Sequence, residues 1–400
     1  MHLFVNGLAA SAGGGLTYLR NVIPQLSERD DVKTTLAVHP SLRAELGDRP
    51  NISFVEMEIQ GGTARRFWLE QTVLPQLIRR SGAEALVSAG NFALWRSPVP
   101  QILLSRNSLY TSREFFLDLR KRREYGMWLD ARLKAILAKR SIRWADFTVA
   151  PSQAFGDELH RWTGVDVIAI RHGFDREAFF GDPTPLPSEI QRKLDAVQGC
   201  LRLLFVSHYN YYRNFETLFR ALPVLQKKLG GRFVKLFLTC KLRSEENPGS
   251  YRAEGASALL NELGITGNIV ELGTVPYHML HHVYSACDIY VTPAYTETFA
   301  HPLVEAMSSG LPVVASDLPV HREICGDSAL YFPRFSPEAL ARQVLEIANS
   351  ATLGYQKAEA GRKRCLDFSW RRHVDQIISL ARDRGGAIRI AQKPAGQIDL

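Results

Sequence analysis

Short apolar runs rich in β-branched residues alternate with helix-periodic stretches along nearly the whole chain, in two successive series. This order constrains the fold most strongly, because consecutive parallel strands need a crossover, usually helical, between them. The first series predicts strands at Leu3–Asn6, Thr34–Val38, Ile52–Val55, Ala85–Val87, Gln101–Leu104, Phe147–Ala150 and Val167–Ile170. Helical patterns at Leu16–Ser27, Ala64–Arg80 and Arg113–Arg143 lie between them. The second predicts strands at Arg202–Ser207, Val234–Leu238, Ile269–Glu271, Ile289–Thr292, Val313–Ser316 and Leu330–Phe332. Between the two series lies Gly181–Pro187 (GDPTPLP), whose prolines restrict both themselves and their predecessors and mark a linker.

The expectation is an α/β protein of two parallel-sheet domains, 1–180 and 188–367, with a ligand cleft between them. A last helix, Phe368–Arg384, precedes a weakly patterned tail at 385–400. Four hundred residues suit two domains, and 46% hydrophobic with 22% charged residues suits core-forming ones. The five cysteines are scattered, with no CxxC pair, and read as buried reduced thiols. The opening MHLFVNGLAASAGGG lacks a basic segment and a long apolar run, so no signal peptide is read there. No apolar run approaches the roughly 18 residues of a membrane span. The expected place of work is the cytoplasm or the inner membrane face.

The formal charge is +8, and much of the excess lies in 113–143, with ten Lys/Arg against Glu114, Asp118, Glu124 and Asp130. Such a stripe suits phosphates, whether of an acidic acceptor, anionic lipid or nucleic acid, and is equally the solvated face of a helix.

The chemistry concentrates in 293–332. A strand ends at Pro293, and a turn-rich stretch leads to Pro302, suited to the first helical position, where its missing N–H costs nothing. Leu303–Ser309 continues the helix, Gly310 caps it, and 311–316 returns to a strand. A helix amino end at a sheet's carboxyl edge offers N–H groups to an anion. Glu297 and Glu305 flank that end, and carboxylates accept hydrogen bonds from sugar hydroxyls.

This stretch resembles the donor motif of retaining glycosyltransferase family 4 (glycosyl transferases group 1), P-S-x-x-E-G-F-G-x-P-x-x-E-A-M-x-x-G-x-P-V-V-A-S followed by E-x-x-G-D. The match comprises Pro293, Glu297, Phe299, Pro302, Glu305, Ala306, Met307, Gly310, Pro312–Ser316, Glu323, Gly326 and Asp327. The resemblance implies a GT-B fold, with two Rossmann-like domains facing each other and the last helix crossing back to the first. It implies Glu305 on the ribose hydroxyls and Glu297 near the reacting sugar carbon. Backbone around Thr298, Phe299, Ala300, His301 and Leu303 would face the donor. In the loop after the second domain's first strand the family commonly places an Arg and, five residues later, a Lys; here they are His208 and Arg213.

Gly14 and Gly15, in a cluster after the first strand, resemble the family's amino-terminal Gly-Gly loop. Arg106, Asn107 and His172 are acceptor-side candidates. The family needs no metal or other cofactor, and no Asp-x-Asp motif occurs here. The implied reaction is hexosyl transfer from a nucleotide-sugar co-substrate to a glycan or lipid-linked glycan, in surface polysaccharide assembly. The charge of 113–143 adds the expectation of an acceptor role or a peripheral contact with anionic membrane, with no nucleic acid involved. Thr298 and Ala300 replace the family's usual glycines, and His208 its arginine. Those departures leave open a catalytically idle GT-B subunit. A phosphorylase or epimerase on the same fold also stays open.

Overall fold

The computed structural model describes residues 1–10, 13–59, 61–197, 199–246 and 251–383. Ser11, Ala12 and the tail at 385–400 lie outside the described residues. The chain divides into two compact units. One comprises Met1–Thr111, Glu124–Gly173 and the chain from Ser369; the other comprises Ser112–Arg123 and Phe174–Phe368.

The first unit holds a seven-stranded parallel sheet: β1 (His2–Asn6), β2 (Lys33–Val38), β3 (Ile52–Glu56), β4 (Ala85–Ser88), β5 (Gln101–Leu104), β6 (Phe147–Ala150) and β7 (Ile168–Ala169). Their order is β3-β2-β1-β4-β5-β6-β7, which reverses direction between β1 and β4. Central strands such as β4 and β5 are buried along their length, as a sheet covered on both faces requires. Helix Trp370–Arg382 belongs to this unit and packs on helix Gly13–Ser27 through Trp370, Val374, Ile377 and Ile378. Gly173 makes that docking possible, since a Cβ there would lie 2.0 Å from the Trp370 amide nitrogen.

The second unit holds six parallel strands: β8 (Leu201–Phe205), β9 (Val234–Leu238), β10 (Ile269–Glu271), β11 (Ile289–Thr292), β12 (Val313–Ser316) and β13 (Ala329–Phe332). The order β10-β9-β8-β11-β12-β13 reverses between β8 and β11. In both units the crevice outside the carboxyl ends at the reversal is where such sheets bind ligands. All five cysteines are buried and free.

The expected boundary at 180 moves to Gly173/Phe174. Helix Arg176–Phe180 is tied into the second unit, with Phe179 against Tyr277 (5.4 Å) and Tyr284 (6.1 Å). Arg176 donates to the Ser308 carbonyl and hydroxyl (3.1 and 3.0 Å).

The single helix expected over 113–143 is two, Arg113–Lys121 and Tyr125–Trp144. The break falls at Arg123, whose φ of 61° is left-handed. The first helix goes with the second unit: Tyr295 Oη donates to Asp118 (3.1 Å), and Arg122 bridges Asp118 (2.8 Å) and Glu216 (2.7 Å). The basic stripe is therefore divided between the units.

Candidate functional site

The loops after β8 and β11 meet at the second unit's switch point, and hydrogen bonds to backbone carbonyls hold them together. Tyr295 N–H donates to the Tyr212 carbonyl (3.0 Å), and Asn214 Nδ2 to the Pro293 carbonyl (3.0 Å). Asn214 is left-handed (φ 57°) and 6% exposed, and its Oδ1 accepts from Thr217 (2.9 Å). A second brace lies beneath. Ser316 Oγ, at the end of β12, donates to the Ala294 carbonyl, and His321 Nδ1 lies 2.9 Å from the Ser316 carbonyl. His321 is fully buried, and burial lowers its pKa to about 4, so the ring is neutral.

On this frame Arg213 and Glu297 form an ion pair through Nη1 and Oε1, with side chains 20% and 10% exposed. Arg213 Nε is buried and has no acceptor among the described residues. Such a donor favours an incoming anion. The guanidinium also stacks 5.2 Å from the Tyr212 ring. His208 belongs to the same loop. Partial burial, and then the Arg213 charge, push its pKa below the usual histidine value. It is therefore neutral at pH 7, a hydrogen-bonding group where the family motif has a cation.

Glu305 lies within helix His301–Ser308, 4% exposed. Tyr284 Oη donates to its Oε2 (2.8 Å). Burial raises the Glu305 pKa to about 7, and the Tyr284 bond only partly opposes it. Tyr290 on β11 lies within electrostatic reach of both Arg213 and Glu305.

The helix begins at His301, with Pro302 in its second position, and Gly310 (φ 76°) follows its last turn. Ala300 precedes it in the left-handed region (φ 63°, ψ 67°). The backbone that glycine would supply at this position is thus present, carried by a residue with a Cβ. Thr298 N–H donates to Glu297 Oε2 (3.3 Å). The buried Phe299 ring packs against His301 (4.9 Å) and edge-on to Phe368 (5.5 Å). The Leu303 amide is already bonded to the Ala300 carbonyl (3.0 Å) and its side chain is buried, so Leu303 serves as core.

The first-unit candidates lie among that unit's own residues. The glycines do not precede a helix; they form its first turn, since Gly13–Ser27 is helical throughout. Arg106 Nη1 donates to the Gly14 carbonyl (3.2 Å) and Nη2 to the Ala89 carbonyl, with the guanidinium 4.4 Å over the Tyr18 ring. A Cβ on Gly15 would press on Ala10 Cα at 3.3 Å. His172, 5% exposed, packs among the rings of Tyr18 (5.5 Å), Trp370 (5.2 Å) and His373 (5.5 Å). Asn107 Oδ1 accepts from Leu109 N–H (3.0 Å) and caps a short 3-10 turn. These contacts make the cluster a brace between the sheet and the last helix.

Sequence reasoning passed over Tyr284, His321, Asn214 and Glu70. Tyr284 lies in the short helix Leu280–Ser285 (LHHVYS), outside the motif stretch, and its spacing carries no signal of a glutamate partner. His321 falls inside the motif stretch but at a position the motif leaves free. Glu70, in helix Thr63–Ser81, is 3% exposed beside Arg66 (3.5 Å), and burial raises its pKa to about 7. Its i,i+4 spacing from Arg66 reads in sequence as an ordinary surface pair.

Residues 188–364 match the family model described as glycosyl transferases group 1. Over 113 residues the chain is 31% identical to O-antigen chain mannosyltransferase B of Escherichia coli, covering 28% of this chain and 30% of that one. Over 223 residues it is 24% identical to D-inositol 3-phosphate glycosyltransferase of Corynebacterium aurimucosum, 54% of this chain and 51% of that one. The chain thus spans about half, or less, of the length of these curated relatives. Sucrose-phosphate synthase from Thermosynechococcus elongatus superposes with a TM-score of 0.77 at 17% identity, over 97% of this chain and 100% of that chain. Anabaena HepE in complex with UDP-glucose gives 0.70 at 16%, over 95% and 99%. At these identities the likeness shows the fold, GT-B with two Rossmann-like parallel-sheet domains.

Proposed function

We propose, on the premise that the second unit carries a group 1 glycosyltransferase domain, that this chain is a retaining, metal-independent hexosyltransferase of family 4. It takes a sugar from a nucleotide-diphosphate donor and passes it to a glycan or lipid-linked glycan acceptor in surface polysaccharide synthesis. The observation that carries this reading is the convergence of Arg213, Glu297 and buried Glu305 at one topological switch point. A relative named for O-antigen mannosyl transfer, and a fold neighbour holding UDP-glucose, support it.

In the proposed reaction the bond from the sugar's anomeric carbon to the diphosphate oxygen breaks. The acceptor hydroxyl oxygen bonds that carbon on the same face, and its proton passes to the departing phosphate oxygen. Arg213 stabilises charge building on the diphosphate, aided by the amide groups around Phe299 and Ala300 at the helix amino end. Glu297 holds the donor sugar near the reacting carbon, and Glu305 accepts hydrogen bonds from the ribose hydroxyls. His208, neutral, donates a hydrogen bond beside the phosphates.

The test is to incubate the chain with UDP-, GDP-, ADP- and dTDP-sugars and candidate glycan acceptors in a chelator, then assign the product's anomeric configuration by NMR. A product with the donor's configuration supports the reading. An inverted product, or activity that the chelator abolishes, contradicts it.

A further inference from the structure

Helix Leu280–Ser285 buries Tyr284 completely, its ring against Phe179 (6.1 Å) and Tyr290 (5.9 Å). The Tyr284 hydroxyl meets helix His301–Ser308 at two acceptors, Glu305 Oε2 at 2.8 Å and the Pro302 carbonyl at 3.3 Å. A hydroxyl has one proton to give, so it serves one of the two at a time. Burial and the neighbouring Glu305 hold this phenol well above its ordinary range, so it keeps its proton around neutral pH.

Among the described residues Tyr284 is the one hydrogen-bond donor to the Glu305 carboxyl, and no cation acts on that carboxyl. The titratable groups facing it are phenols held protonated by burial: Tyr284 itself, Tyr277 from the turn Tyr277–Met279, and Tyr290 from β11. Ionisable groups on the neighbouring elements are engaged elsewhere. Arg176 donates to Ser308, Arg362 pairs with Glu359, and Arg364 pairs with Asp367. The Cys365 thiol donates to the Val304 carbonyl, His321 bonds Ser316, and His281 packs on Phe179 and Phe180. On the helix itself His301 packs on Phe299, and Arg213 nearby is paired with Glu297. The charge on Glu305 therefore depends on one phenolic proton.

We propose, resting on the reading of Glu305 as the ribose ligand, that Tyr284 is a positioning residue of the donor site whose single proton sets the charge and aim of Glu305. Turned to Glu305, that proton leaves an ionised carboxylate whose other lone pairs accept the ribose hydroxyls. When solvent supplies a proton to Glu305 Oε2, the carboxyl donates it to Tyr284 Oη, and Tyr284 turns its own proton to the Pro302 carbonyl. Glu305 gains one proton and Tyr284 loses none. The ribose then meets a neutral acceptor, whose hydrogen bonds are about half as strong as those of a carboxylate. Donor and proton compete for Glu305, and because burial pushes its carboxyl up to about 7, the competition falls at neutral pH.

The experiment is calorimetric titration between about pH 5.5 and 8.5 with UDP-glucose, GDP-mannose, ADP-glucose and dTDP-glucose. The parent's affinity for the sugar it binds is expected to rise about tenfold through neutral pH. Glu305→Gln is expected to bind weakly and without pH dependence. Tyr284→Phe, which removes one oxygen, is expected to bind about fivefold more weakly at pH 7, with the midpoint of the rise about one pH unit higher. A difluorotyrosine installed at position 284 keeps the ring and donates more strongly, so it is expected to move the midpoint down. A merely structural phenol would not shift the midpoint in opposite directions. Weak binding by Glu305→Gln with a midpoint unmoved in both Tyr284 variants, or a parent affinity flat with pH, would overturn the role of Tyr284 alone. Glu305→Gln binding as tightly as the parent, or no binding of any of the four sugars, would overturn the ribose reading and this role with it.

Discussion

Arg213 and Glu297, 84 residues apart, form an ion pair that joins the loop after β8 to the loop after β11. The pair sits where the sheet order reverses, so the chain's topology and its electrostatics select the same place. Removing either partner leaves a mostly buried charge alone.

Arg213→Ala and Glu297→Ala are each expected to lower kcat about 10²–10³-fold, and each to destabilise by about 1–3 kcal/mol. The double variant loses less stability than the two single losses together, because neither charge is then stranded. Urea unfolding alongside transfer assays measures both, and strict additivity in stability would speak against a coupled pair.

Glu305 is held at a cost. Burial pushes its carboxyl up to about 7 in the folded chain, from the ordinary 4.5, so stability falls as pH rises through that window and the loss is complete above 7. Glu305→Gln is therefore expected to be more stable than the parent at pH 8, by about 2–3 kcal/mol at most. The advantage disappears towards pH 4.5, and donor affinity falls about tenfold or more for the lost charge-assisted bonds. Thermal unfolding at the two pH values checks the sign. A variant less stable at pH 8 yet still binding donor would contradict it.

His321 and His373 act in the opposite sense. Both are buried with pKa values lowered to about 4 from 6.5. Their contribution is whole above 6.5 and is lost as pH falls towards 4, by up to about 1.4 kcal/mol per pH unit for each. Glu305 and Glu70 gain stability over the same descent, so the parent chain is expected to show a shallow pH dependence between 4.5 and 6.5. His321→Asn unmasks one side: its deficit against the parent at pH 7 shrinks at pH 5. A deficit constant with pH would mean that His321 titrates normally.

The strands were legible almost to the residue, because a parallel sheet covered on both faces calls for short, continuous apolar runs separated by helix-length crossovers. The switch-point site was legible through Glu297, Glu305 and Arg213, since the motif's spacing maps onto strand, loop and helix start. Other features had no local signal. Nothing in the composition of 113–143 announces the turn at Arg123, which takes a left-handed angle without a glycine. The assignment of Arg113–Lys121 to the second unit depends on Asp118 meeting Tyr295, a contact 177 residues distant. The pairing of Glu305 with Tyr284 likewise exists only in three dimensions.

Ala300 shows how a departure from a motif is resolved. Its left-handed backbone carries a Cβ penalty of about 1–2 kcal/mol that glycine lacks. Ala300→Gly is expected to raise stability by about 1 kcal/mol, the relief of strain outweighing the added freedom of the unfolded chain. Chemical denaturation decides it: a destabilised variant would mean that the Cβ packs favourably enough to offset its strain.

The account's central claim is that the switch point of the second unit binds a nucleotide sugar, and its most direct test is thermal unfolding against UDP-, GDP-, ADP- and dTDP-sugars in the presence of a chelator. A ligand at a hundred times its Kd stabilises by about 2.7 kcal/mol. The account predicts stabilisation by sugars of one nucleotide, lost in Glu305→Ala and weakened in Arg213→Ala. No stabilisation by any of the four, or stabilisation that survives Glu305→Ala unchanged, would contradict it.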